Sequence, residues 1–266
     1  MIIDAHQHFW QLARGDYSWL TPELLPLYND FMPEDLAPHL LQHGINGTIL
    51  VQAAPTVAET EFLLEIADNT PFVLGVVGWA DFAAPTVAKD IVRLAQHPKL
   101  VGLRPMIQDI ADDDWMLRAD LTPAFEAMIE ADLTFDALVL PGHLSHPRLR
   151  TVIDHAAKPE IAGGLFDDWA NDIALIAHET GAYCKLSGLL TEAGDDWTQT
   201  DVAPYVAHLF THFGPQRLVW GSDWPVLNIV TNYETWIDLA RSFMPSERDG
   251  KSVFGLTAAD LYRLSL

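Results

Sequence analysis

Five short stretches carry titratable side chains that a folded chain could bring together. In Asp4-Ala-His6-Gln-His8 the two imidazoles are two residues apart. In an extended segment alternate side chains share a face, and a rise of about 3.3 Å per residue puts their Cα atoms roughly 6.6 Å apart. Both rings can then converge on one bound group. Leu218-Val-Trp-Gly-Ser-Asp223 sets a carboxylate at the end of an apolar run. Near histidines such a group acts as general base on water or as a metal ligand. Thr151-Val-Ile-Asp154-His155 ends another apolar run in a histidine. In Cys184-Lys185-Leu-Ser187 a lysine lies inside an apolar stretch, where an ammonium is costly unless paired or used. It either holds a substrate carbonyl or hydroxyl, or pairs with a buried acid such as Asp154. Arg104, in Gly102-Leu-Arg104-Pro105, suits an oxygen-rich ligand or an ion pair at a rim.

Taken singly, each stretch has a plainer reading: a polar strand exit, a turn aspartate, a core histidine. Their shared position at the ends of apolar runs favours one site. Arg14, Trp19 and Trp224, in loops, are further candidates for substrate contact. Cys184 reads as a small core residue, and no Ser or Cys stands in a GxSxG pattern, so covalent catalysis is not indicated.

The elements that must position these groups alternate. Eight short, mostly apolar runs read as strands: 2–6, 47–52, 72–79, 100–104, 135–140, 151–155, 183–187 and 218–223. Near-continuous apolar runs suit strands buried on both faces of a parallel sheet. Helical patterns fit 33–43, 56–69 (opened by a Thr56-Val-Ala-Glu59 capping box), 85–96, 122–130, 169–180, 201–213 and 233–243. Gly44, Gly181 and Gly214 stand where helices should stop. Strict alternation predicts an α/β protein, a (β/α)8 TIM barrel over 1–266 as one domain. An open doubly wound sheet would want a Gly-rich loop after its first strand, and none is there. Only Pro141–Arg150 separates two of the strands, short of the dozen or more residues a parallel crossover usually needs, so the fifth crossover helix is expected to be shortened or missing.

Composition narrows the partners. With 37 acidic against 15 basic residues the formal charge is −22, a field that repels nucleic acid and anionic membranes. No run of about 18 apolar residues spans a membrane. A single cysteine excludes a disulfide framework, and no signal peptide is visible, so a reducing, cytoplasmic setting is expected.

Together these motifs resemble the amidohydrolase superfamily, in the branch of lactonases acting on sugar lactones and pyrone dicarboxylate. The resemblance runs through His6-Gln-His8-Phe-Trp, Ile49-Leu-Val-Gln-Ala-Ala-Pro, Gly78-Trp-Ala-Asp81, Gly102-Leu-Arg104, Asp154-His155-Ala-Ala-Lys158-Pro159, Cys184-Lys-Leu-Ser-Gly188 and Trp220-Gly-Ser-Asp-Trp-Pro225, nearly the whole chain. It implies that Asp223 activates water, that His6, His8 and His155 line the reacting centre, and that Arg104 and Lys185 contact substrate. Metal-dependent members usually carry a histidine ending strand five or a carboxylated lysine on strand four. This chain has neither, which argues against a two-metal site. A single Zn²⁺ on His6, His8 and Asp223 is compatible with the sequence, but the incomplete ligand set argues that catalysis does not require it. The expected reaction is opening of a neutral sugar lactone, such as a fucono-, rhamnono- or galactonolactone, since Arg104 is the only strand-end arginine. The alternatives are a metal-dependent amidohydrolase or decarboxylase on the same scaffold, and a non-catalytic sugar-binding barrel. The sequence is compatible with a homo-oligomer.

Overall fold

A computed structural model describes residues 1–112, 114–137 and 148–265. Eight parallel strands form one sheet in chain order: β1 Ile3–Gln7, β2 Gly47–Val51, β3 Val73–Gly78, β4 Leu100–Leu103, β5 Thr134–Ala137, β6 Thr151–Ile153, β7 Tyr183–Leu186 and β8 Leu218–Trp220. The sheet curls until its first and last strands meet. There His8 N–H donates to the Trp224 carbonyl (2.7 Å) and Asp223 N–H to the His6 carbonyl (2.8 Å). The chain therefore folds as a (β/α)8 barrel.

Helices α1 Pro33–His43, α2 Val57–Asn69, α3 Val87–Leu94, α4 Thr122–Glu130, α5 Asp167–Glu179, α6 Leu189–Ala193, α7 Gln199–Phe213 and α8 Tyr233–Ser242 lie between or after the strands. Two short C-terminal helices follow, α9 Glu247–Lys251 and α10 Thr257–Leu261. The helix between β7 and α7 and the two at the C-terminus carry little sequence signal, each being five residues long. Most of the Pro141–Arg150 crossover, and the expected last residues of the fifth strand, lie outside the described residues. Among the described residues no helix is long and apolar enough to cross a membrane.

One apolar cluster draws Ile3, Ala5, Ile49, Val51, Val77, Val152 and Val219 from five strands, and Leu261 and Tyr262 close it from the C-terminal end of the chain. A larger cluster fills the layer between strands and helices. Each buried Ile, Val or Leu side chain contributes roughly 1.5–3 kcal/mol. The capping box at α2 forms only by half. Thr56 Oγ1 accepts from Glu59 N–H (3.0 Å), but the Glu59 carboxylate turns away and accepts from Ala53 and Ala54 N–H, 2.9 Å each. It thereby braces the loop leaving β2. Burial raises its carboxyl to about 7 against those two donors.

Candidate active site

The exits of six strands converge. Asp223, just past β8, has Oδ1 3.3 Å from His8 Nε2, 3.7 Å from His6 Nε2 and 4.0 Å from His155 Nε2. The two β1 rings meet Nε2 to Nε2 at 3.1 Å. All four side chains are buried or nearly so. Glycine makes the convergence sterically possible. A Cβ on Gly221 would lie 2.6 Å from His6 Cβ, and one on Gly188 would lie 2.6 Å from His155 Nδ1.

The backbone is strained where the site is made. Asp223 has φ +61°, and four consecutive non-glycine residues are left-handed: His155 (+50°), Ala156 (+51°), Ala157 (+58°) and Lys158 (+52°). Each costs about 1–2 kcal/mol for an L-residue in this region. Strain of this kind persists only where surrounding structure over-determines it, and it gathers at functional sites. The turn is held from outside by Trp169, whose Nε1 donates to the Ala156 carbonyl at 2.7 Å.

Beneath the rings lies a buried ionic network. Lys185 Nζ is 2.5 Å from Asp136 Oδ2, 2.9 Å from Asp154 Oδ1 and 3.0 Å from His6 Nδ1. Tyr262 donates to Asp136 Oδ2 (2.8 Å). Arg104 reaches Asp154 Oδ2 (3.3 Å) and also donates to the Gln52 carbonyl. Two cations thus face two carboxylates, and the cluster is neutral. Burial raises the Asp136 carboxyl to about 6, with Lys185 as counterweight. Burial acts on Asp154 too, but Lys185, His6 and Arg104 hold it well below the ordinary carboxylate range. Burial and the Lys185 charge push the His6 imidazole well below 6.5, and burial lowers His155 as well. At Asp223 burial works upward, yet His155, His8 and His6 outweigh it and keep the carboxyl below its usual value. Behind the loop, Asp4 accepts from Ser222 N–H (2.8 Å) and Tyr233 Oη–H (2.9 Å), tying β1 to the segment that carries Asp223.

These contacts assign the imidazole protons. The Lys185 ammonium donates to His6 Nδ1, so the His6 proton is on Nε2 and points at His8 Nε2. His8 Nδ1–H donates to the Val51 carbonyl (2.8 Å), which leaves its Nε2 lone pair free to accept. His155 Nδ1 lies 2.9 Å from Ser187 Oγ; with the hydroxyl donating, Nε2–H of His155 faces the carboxylate.

Above the rings opens a cavity of about 350 Å³, within the usual range for small-molecule sites. Of the residues singled out in the sequence, His8, His155, Asp223, Arg104 and Trp19 line it. His6 and Lys185 lie below, and neither touches it. The expectation that Lys185 contacts substrate is therefore corrected: it is fully buried, hydrogen-bonded to Asp136 and His6 and ion-paired with Asp154, the ion-pair reading. Arg14 is also displaced from the site. It pairs with Asp16 (2.5 Å) and covers the Phe62 ring at 4.1 Å, while Trp224 is buried against Phe9 and Phe31 and is not in the cavity wall. Sequence reasoning missed Met106, Gln108, Lys158, Thr191, Glu192 and Ile229 in the wall. Only Lys158 had a signal, its place in the Asp154–Pro159 motif.

Gly188→Ala tests the packing. The new methyl meets the His155 ring and forces an alanine to φ +66°. We expect kcat/KM to fall by tenfold or more, since displacements near 1 Å in a catalytic group cost up to about 10²-fold. A steady-state assay with a thermal melt measures both effects, and an unchanged kcat/KM contradicts the packing argument.

His6, His8 and Asp223 also form a cation-binding geometry. Their separations of 3.1, 3.3 and 3.7 Å approach the roughly 3.3 Å edges of a tetrahedron with bonds of about 2.0–2.1 Å. His8 Nε2 and Asp223 already present lone pairs. His6 would join them on giving up its Nε2 proton. The donor set therefore fits one zinc with an open fourth position.

A family model described as amidohydrolase matches residues 3–264. The chain is 45% identical to an L-fucono-1,5-lactonase of Burkholderia ambifaria, over 98% of this chain and 95% of that protein. It is 33% identical to an L-fucono-1,5-lactonase of Burkholderia multivorans, over 98% and 96%. A crystal structure of an amidohydrolase from Burkholderia multivorans with zinc bound superposes with a TM-score of 0.91 at 33% identity, over all of both chains.

Proposed function

The chain belongs to the amidohydrolase family, and from that premise we propose that it is a lactonase that opens a neutral sugar lactone by Asp223-activated water. The observation that carries this reading is a carboxylate within 4.0 Å of three imidazoles at the floor of a cavity. L-fucono-1,5-lactone, the substrate in the relatives' names, is the first candidate. The relatives do not favour a decarboxylase or a non-catalytic sugar-binding barrel. A dicarboxylate suits the wall poorly. Among the described residues its cationic side chains are Arg104 and Lys158, already paired with Asp154 and Glu192.

His8 Nε2 already accepts the His6 Nε2–H, so Asp223 is the proton acceptor facing the cavity, and a water there donates one hydrogen to its carboxylate. The lactone carbonyl carbon stands over that water. As the water oxygen bonds to it, Asp223 takes the proton. His155 Nε2–H and the Arg104 guanidinium face the developing oxyanion, a contribution of several kcal/mol from preorganised donors. The ring C–O bond then breaks, and the proton on Asp223 passes to the departing alkoxide. The product is a hydroxy acid. Lys185 acts through His6, fixing its tautomer.

A zinc on His6, His8 and Asp223 would supply an acidified water. The proton that Lys185 keeps on His6 Nε2 opposes that ligation, and the reaction as proposed does not need it. Acid release from a panel of aldonolactones, with and without chelator, tests both points. We expect turnover that survives chelation. Binding without acid release would reject the lactonase reading, and full loss on chelation would reject the metal-free one.

The pH dependence follows from the site's electrostatics. Activity as proposed requires ionised Asp223 and neutral imidazoles. Burial lowers His6 and His155 below 6.5, and the surrounding rings lower Asp223. On acidification all three changes move the loss of the active form downward. We expect kcat/KM to hold from pH 8 down to about pH 7. An acid midpoint above 7 contradicts the assignment.

A further inference from the structure

The cavity wall carries an ion pair for which the reaction has no use. Lys158 Nζ and Glu192 Oε1 are 2.8 Å apart, and both residues line the cavity. They come from different elements: Lys158 ends the left-handed turn after β6, and Glu192 sits on α6 after β7. Both are partly exposed, so neither is needed to neutralise a buried charge. The turn that delivers Lys158 is strained at each of its four residues, and Lys158 itself has φ +52°, a conformation glycine would adopt freely. A glycine there would relax the backbone and lose only the side chain. The strained turn thus places a lysine in the wall of the same cavity as His155.

The pair's chemistry is specific. It offers one donor group and one acceptor group about a hydrogen bond apart, with no net charge. Two adjacent hydroxyls match this, one oxygen accepting from the ammonium and the other hydroxyl donating to the carboxylate. A carboxylated ring would face Glu192 as a like charge. Trp19, Met106, Val226 and Ile229 leave the rest of the wall largely apolar, suited to C–H faces of a ring. We propose that Lys158 and Glu192 are specificity residues that read a vicinal diol on the lactone ring. This rests on the lactonase reading above and extends it.

The test compares two rings: L-fucono-1,5-lactone and δ-valerolactone, which has the same ring and ester and no hydroxyl. The readout is the ratio of their kcat/KM values, with δ-valerolactone followed as a competitive inhibitor where turnover is too slow. Lys158→Gly relieves strain, and Glu192→Gln keeps shape, so both should fold with thermal midpoints at or above wild type. Each should lower the ratio by about 10–100-fold, chiefly through KM for the hydroxylated ring, as expected for loss of a hydrogen-bond partner to a substrate hydroxyl. The double variant should lose less than the product of the single losses, because the two act as a unit. An unchanged ratio, with both rings affected equally or neither affected, overturns the assignment while the lactonase reading stands. Wild-type protein that opens neither ring overturns both.

Discussion

Asp223→Asn should lower kcat on the lactone by on the order of 10³-fold, with the fold intact. The amide keeps the shape and the backbone contact to β1, where Asp223 N–H meets the His6 carbonyl at 2.8 Å. It has no basic oxygen to take the proton from water, and general base catalysis is worth roughly 10²–10⁴. The position at φ +61° also tolerates asparagine, which visits the left-handed region more readily than most residues. A circular dichroism spectrum and melt like wild type, beside the kinetic loss, separate chemistry from folding. Near-wild-type turnover would remove Asp223 from its role.

The second large effect belongs to Lys185→Met. Lys185, Asp136 and Asp154 are all completely buried. Methionine fills the space of the lysine stem but leaves two carboxylates facing each other with Arg104 as their remaining cation. Removing one partner of a buried ion pair typically costs about 3–5 kcal/mol. At roughly 2–4 °C per kcal/mol for a chain near this size, the melting temperature should fall by about 10 °C. Asp136→Asn in the same chain should recover part of the loss, because it removes the uncompensated charge. Scanning calorimetry of the single and double variants measures this. A single variant that melts like wild type would show that Lys185 is not paired as described. Turnover should fall as well, since His6 loses the donor that sets its tautomer.

Much of this architecture was legible in the sequence, for local reasons. Apolar runs gave the eight strands to within a few residues, and α1 and α4 have the expected bounds. The His6-Gln-His8 spacing and the aspartate after Leu218-Val-Trp were enough to bring three catalytic candidates to one rim. What was hidden depends on distant partners. Whether Lys185 meets substrate or acid is decided by Asp136, 49 residues away in sequence, and no spacing encodes that encounter. Glu59 has the position of a capping-box residue, yet two unpaired N–H groups in the loop after β2 compete for it and win. The left-handed turn at His155–Lys158 contains no Gly or Asn to announce it. Arg14 looked available to substrate because a neighbour two residues along that neutralises it cannot be told from an exposed acid.

The seam where the barrel closes lies inside the candidate site. His6 and His8 come from the first strand, and Asp223 from beyond the last, and the hydrogen bonds joining those strands share the backbone of these same residues. Catalytic competence is therefore a reporter of ring completion. A ribosome-bound chain lacking its eighth strand carries all three imidazoles and no base, and two separately made half-barrels are each inert until they reassemble, so lactone opening would register their complementation directly.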